Sequence, residues 1–163
     1  MENLKQTLPD FLANGIEQLD FDGDIQLTWN EAKRTFNLEL TFFAQNNLHD
    51  AIFDLTGVES DEPIVTFVDA VLIYDQNSFK PDQVANDYLA CLPFAGKQGW
   101  STAMGRAFFR YLQIVLDNGE SDLLDFLNDQ EVAVFELEWS PNEFEKILQQ
   151  YQQESDQRLP YPE

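Results

Sequence analysis

The run Pro63 to Tyr74 reads PIVTFVDAVLIY, and only Thr66 and Asp69 break its apolar character. A segment that is apolar at both even and odd positions cannot lie on the rim of a half-wet sheet. It needs cover on both faces, or strands on either side of it in mid-sheet. Whatever this chain folds into must therefore place other strands and helices around residues 63–74.

The partners are present. Ile25, Leu27 and Trp29, then Phe36, Leu38, Leu40 and Phe42, alternate with Gln26, Thr28, Asn37, Glu39 and Thr41. Period-two alternation marks half-buried strands, so residues 25–43 read as a hairpin turning at Asn30 to Lys33. Ala133, Phe135, Leu137 and Trp139 repeat the pattern, which predicts a further strand at 132–139.

Helical spacing supplies the cover. Leu8, Phe11, Leu12, Ile16 and Leu19 follow Thr7 and Pro9, with Asp10 placed for a capping contact, and Gly23 closes this first helix. Met104, Ala107, Phe108, Tyr111, Leu112, Val115 and Leu116 form a stripe after Ser101 that is expected to stop at Asn118-Gly119, with a short helix from Ser121 to Leu127. Ser140, Pro141 and Glu143 make a start signal for a last helix carrying Phe144, Ile147, Leu148 and Tyr151. The reading is a single α+β domain over residues 1–154, an antiparallel sheet of about four to five strands packed with helices at the start, middle and C-terminus. Residues 155–163 read as a frayed polar tail.

Charge limits function. The chain has 163 residues, with 30 acidic against 9 basic ones and a net charge of -21. Such a surplus repels phosphate backbones and anionic lipid, so direct nucleic-acid or membrane binding is not expected. No stretch free of charged residues approaches the roughly 18 needed to cross a bilayer. Cys91 is the one cysteine, so no disulfide forms within the chain. With no recognisable signal peptide, a cytoplasmic protein is expected.

Three features invite chemistry. Counting from Asp20, acidic residues fall at the first, third, fifth and twelfth places of an EF-hand calcium loop: Asp20, Asp22, Asp24 and Glu31. The sixth place needs glycine for a positive φ, yet it holds Ile25, and Thr35 to Phe43 alternates as a strand where the exiting helix belongs. Secondly, the 29 residues from Tyr88 to Leu116 contain no acid and carry Lys97, Arg106 and Arg110. Here Lys97, Gly99, Ser101 and Thr102 precede a helix start, where free amides favour an anion, with Arg106 and Arg110 one turn apart beyond them. The plainer alternative is a capped turn with arginines paired elsewhere. Thirdly, Asp69 interrupts the apolar strand, either as an acid or base or as a bulged or hydrogen-bonded structural residue. His49 stands beside Asp50 without nominated partners, and neither a catalytic triad nor a dinucleotide fingerprint is present, so no cofactor is implied.

The blocks GVESDEPIVTFVDAVLIYD (Gly57 to Asp75), DYLACLPFAGKQGW (Asp87 to Trp100) and YLQIVLDNGESDLLDFL (Tyr111 to Leu127) resemble a family of small acidic proteins of unknown function from Firmicutes, especially lactic acid bacteria and their relatives. The resemblance implies a bacterial cytoplasmic origin and brings no catalytic residues or cofactor to transfer. In its order of elements and its acidity the chain also looks like the small acidic chaperones of secretion substrates, a likeness of architecture alone. The leading expectation is a non-enzymatic protein-interaction module, adaptor or chaperone-like, with another protein or a second copy in a homodimer as partner. Its surfaces would be an acidic sheet face and the Lys97, Arg106 and Arg110 patch. The alternatives are an acidic mimic of nucleic acid that blocks a basic protein, and a metal-binding protein or enzyme using the acidic cluster.

Overall fold

A computed structural model describes residues 6–45, 52–53, 59–60, 64–128, 137–152 and 157–161. In chain order the elements are α1 (Leu8–Gln18), β1 (Asp24–Asn30), β2 (Thr35–Gln45), β3 (Ile52–Phe53), β4 (Glu59–Ser60), β5 (Ile64–Asp75), β6 (Ala90–Phe94), β7 (Trp100–Ser101), α2 (Thr102–Asn128), α3 (Pro141–Tyr151) and β8 (Arg158–Leu159). The main sheet runs β1-β2-β5-β6, and the pairs β3-β4 and β7-β8 are separate. The apolar run is thus mid-sheet, with β2 antiparallel on one side and β6 on the other.

Alternation sorts the sheet into two faces. Phe36, Leu38, Leu40 and Phe42 from β2 and Val71 and Ile73 from β5 are buried on the inner face. Against them α2 lays Ala107, Phe108, Leu112, Val115 and Leu116, all buried, and α1 adds Leu8 and Leu12. Helices α1 and α3 both pack on α2. The outward face of β1 and β2 carries Gln26, Thr28, Asn37 and Thr41, with Asp24 and Glu39 the carboxylates among them. That face is polar, with two carboxylates and no basic side chain among these six residues.

Several expectations change. The sheet is mixed, because β6 pairs in parallel with β5 through Val71–Asp75 and Ala90–Phe94. Parallel pairing needs a long crossover, which Gln76 to Leu89 provides as it passes with Phe79 against Tyr74, and Pro93 is tolerated because β6 is an edge strand. The strand expected at 132–139 falls largely outside the described residues, and its described end, Leu137–Trp139, is not a strand. Helix α1 stops at Gln18, well before Gly23. Helix α2 runs unbroken through Asn118-Gly119. A Cβ at Gly119 would come within 2.5 Å of Leu137 Cδ2 and 3.0 Å of the Phe42 ring, so this glycine serves close packing rather than helix termination.

The largest departure is at the C-terminus. The segment Gln157–Tyr161, expected as part of a frayed tail, is docked: β8 pairs with β7, and Leu159 and Tyr161 are buried. Pro160 O accepts from Leu8 N at 2.8 Å, Tyr161 N donates to Lys97 O at 3.0 Å, and Thr102 N donates to Gln157 O at 2.9 Å. Gly99, at φ 61°, leaves room for this segment, since a Cβ there would run into Leu159 O. The Tyr161 ring stacks on Phe94 at 5.0 Å and its hydroxyl accepts from Trp29 Nε1 at 2.7 Å. Above that ring, 4.7 Å from its centre, lies the guanidinium of Arg34.

Arg34 ends the hairpin turn with φ 56° and donates from Nε to Asp75 Oδ2 at 2.6 Å. Asp75 is 1% exposed and also accepts from Asn77 N at 3.0 Å and Ser78 Oγ at 3.3 Å. One buried carboxylate therefore holds the hairpin turn to the end of β5 and, through Arg34, to the C-terminal segment. Asp75→Ala is expected to lower stability by about 3 kcal/mol, because it strands a partly buried guanidinium and two further donors. A urea melt measures this; a loss under about 1 kcal/mol would mean that the pair contributes little.

Candidate functional site

The residues nominated by sequence do not gather in one place. Asp24 opens β1 and Glu31 follows its last residue, so seven extended residues, roughly 20 Å, separate the two halves of the presumed calcium loop. The EF-hand reading fails on that geometry. Asp20 instead joins α1 to α2: its N–H donates to Gln113 Oε1 at 2.9 Å and its carbonyl accepts from Gln113 Nε2 at 2.8 Å. Asp22 N donates to Glu120 Oε1 at 3.2 Å. Burial pushes the Glu120 carboxyl up; the Asp22 N–H opposes this, and the charges of Asp22, Asp117 and Asp20 add to it. Among the described residues no group of acids, histidine and cysteine has the geometry to hold a metal. His49 lies outside them. The Cys91 thiol is pushed up by burial, which suits a packing residue better than a nucleophile.

The acid-free stretch divides in two. Its first half is engaged within the protein: Lys97 O, Gly99 O and Thr102 N bond to Tyr161 N, Arg158 Nη2 and Gln157 O, and Ser101 Oγ accepts from Met104 N at 3.0 Å. The C-terminal segment thus takes up the helix start where an anion was considered. Its second half opens onto a cleft. Arg106 and Arg110, both exposed, line a cavity of about 470 Å³ between α1 and α2, closed at one side by Tyr151 of α3. Phe11 and Phe109, with ring centres 5.6 Å apart, form its apolar wall. Gly15 lets the helices approach there, because any Cβ would strike the Phe109 ring. Asn14, Gln18 and Gln113 add amides. Among the described residues the two arginines are the only charged groups in the lining, and no carboxylate joins them there. Such a lining suits a carboxylate or phosphate group set beside an apolar or planar one.

A second cavity, of about 700 Å³, contains Asp69. The β2-β5 register is continuous through Leu40 and Asp69, so there is no bulge, and Asp69 Oδ1 accepts from Ala70 N at 2.8 Å. That amide points toward β6 but precedes its first paired residue, so the side chain satisfies an edge donor. The same sheet face holds Val71, Ile73 and Asp75, which puts Asp69 where the inner face of the sheet opens to the cavity. The C-terminal clasp and the Asp75–Arg34 pair were missed by sequence reading; the buried Leu159 and Tyr161 within RLPYPE were the available signal.

Burial raises the Asp69 carboxyl above the ordinary carboxylate range, against the pull of the Ala70 N–H. A carboxyl with a raised native pKa costs stability above that pKa, where its charge is buried, and nothing below the unfolded value, where both states are protonated. Asparagine keeps an acceptor for Ala70 and removes the charge. Asp69→Asn is therefore expected to raise the Tm at pH 7, the gain fading toward about pH 3. Thermal melts at both ends of that range decide it; a gain independent of pH would point to packing instead of charge.

Comparison with known proteins adds kinship. No curated protein matches the chain. A crystal structure described as that of a conserved protein of unknown function from Enterococcus faecalis is similar over 100% of this chain and 99% of that one, with 32% identity and a TM-score of 0.85. The family described as protein of unknown function (DUF3013) matches residues 3–163. By that span, and by the α+β fold it shares with a Firmicutes protein, the chain belongs to the DUF3013 family.

Proposed function

We propose that this protein is a non-enzymatic interaction module of the cytoplasm that receives an acidic segment of another protein in the Arg106–Arg110 cleft. The observation that carries the reading is the lining: two guanidinium groups, amides and aromatic rings, without a carboxylate among the described residues. In a chain of net charge -21, every acidic group near the cleft would weaken capture of an anion, and none of the described ones lines it. Two arginines one helical turn apart match the spacing of successive acidic side chains better than a single small anion. The aromatic wall supplies contact area, and the global repulsion discourages loose association with other acidic surfaces. No helix among the described residues is long and apolar enough to cross a membrane, and the lone cysteine fits a reducing compartment.

The reading is tested by fluorescence anisotropy of a labelled hexaglutamate peptide bearing one tryptophan. Binding to the protein is expected, together with at least about a tenfold loss in the Arg106→Ala, Arg110→Ala double variant, which removes two charge-assisted contacts. Equal affinity for protein and variant, or no binding to either, would overturn it.

A further inference from the structure

The Asp69 cavity plays no part in the arginine cleft, and its chemistry is of the opposite sign. Among the described residues, Asp69 makes one hydrogen bond, from Ala70 N, and no ion pair. A carboxylate on the inner face of a sheet is ordinarily paired, as Asp75 is by Arg34. Asp69 instead faces a space of about 700 Å³ into which Asp87 and Glu138 also enter. Four aromatic residues, Phe42, Phe67, Tyr88 and Trp139, stand among the other lining residues.

These walls are built, not loose. Trp139 meets Tyr111 edge-on with ring centres 4.6 Å apart and lies 5.5 Å from Phe144. Tyr111 Oη accepts from Ser140 N at 2.8 Å, which fixes the backbone beside the indole. Opposite, Leu89 N donates to Ala70 O at 2.7 Å, so Tyr88 and Leu89 are tied to the strand that carries Asp69. A carboxylate without a cation among the described residues, on a wall shared with aromatic faces, offers a charge partner and ring quadrupoles together. A hydrated metal ion would use the first alone, whereas an alkylammonium group uses both.

We infer that this cavity binds an organic ammonium group, with Asp69 as its charge partner and the Tyr88 and Trp139 rings as its walls. Burial of the Asp69 carboxyl, which raises it above its ordinary range, is consistent with a charge that awaits a partner. The ammonium has two possible sources, a small diamine or a lysine side chain on another protein, and the chemistry in the cavity is the same for both.

The test follows backbone and indole signals of the full chain by two-dimensional NMR at about 0.15 M salt, where loose counterion binding is screened. Cadaverine, an acetylated and amidated Gly-Lys-Gly peptide, and neutral pentanol are titrated separately. The expected result is that cadaverine or the peptide moves the Ala70 amide and the Trp139 indole together and saturably, while pentanol does not. Tighter binding of cadaverine identifies a small amine, and tighter binding of the peptide a partner's lysine. Asp69→Asn is expected to weaken the effect about tenfold or more, and Glu31→Gln, an exposed acid at the hairpin turn, to leave it unchanged. Pentanol binding equal to that of cadaverine would reduce the cavity to an apolar hole. Shifts spread over the acidic surface, or no shift at Ala70 and Trp139, would overturn the inference without using any variant, and none of these outcomes bears on Arg106 and Arg110.

Discussion

Everything in this fold depends on covering one face of a four-stranded sheet. Phe36, Leu38, Leu40, Phe42, Val71 and Ile73 present a continuous apolar surface that only a long helix can span, and α2 does so with Ala107, Phe108, Leu112, Val115 and Leu116. Each such side chain, once buried, contributes about 1.5–3 kcal/mol, and together they outweigh the mutual repulsion of a strongly acidic shell. Gly119 lets α2 pass close to Leu137 and Phe42, because its missing side chain makes room for them.

The C-terminal segment is the second constraint. By pairing β8 with β7 and burying Leu159 and Tyr161, it occupies the turn before α2 and supports the first residue of α1. Arg34 links it to Asp75 through a salt bridge on one side and a ring contact on the other. This arrangement also decides where a ligand has room. The turn at Lys97 to Thr102 is bonded to the protein's own backbone, and Arg106 and Arg110 of α2 line the cleft. Two cavities follow from the same packing, one cationic between α1 and α2 and one acidic and aromatic where the inner face of the sheet opens.

Elements with strong periodicity or caps were legible in the sequence: the hairpin, the central strand, and the starts of α1, α2 and α3 at Thr7, Ser101 and Ser140. What failed did so for physical reasons. Asn118-Gly119 reads as a stop, but tertiary packing decides whether a glycine ends a helix or lets a neighbour in. The strand Ala90–Phe94 is short, contains a proline and pairs in parallel through a crossover, none of which leaves a local signature. The clasp at Arg158–Leu159 rests on contacts with residues about sixty and more positions away, such as Gln98 and Gly99. Of the site, Arg106 and Arg110 were legible as an interruption of the acid. Their cleft was not, because it is made by the approach of α1 at Gly15.

A cleft whose described lining carries two arginines and no carboxylate is the surface on which an acidic partner is expected to settle. Chemical-shift mapping with the tryptophan-bearing hexaglutamate peptide examines this directly. The side-chain amides of Asn14 and Gln18 and the guanidinium Nε–H signals of Arg106 and Arg110 are expected to move together and to saturate, with the Lys97–Thr102 turn silent. Perturbation confined to that turn or to other surfaces, or none at the four cleft residues, would contradict the assignment.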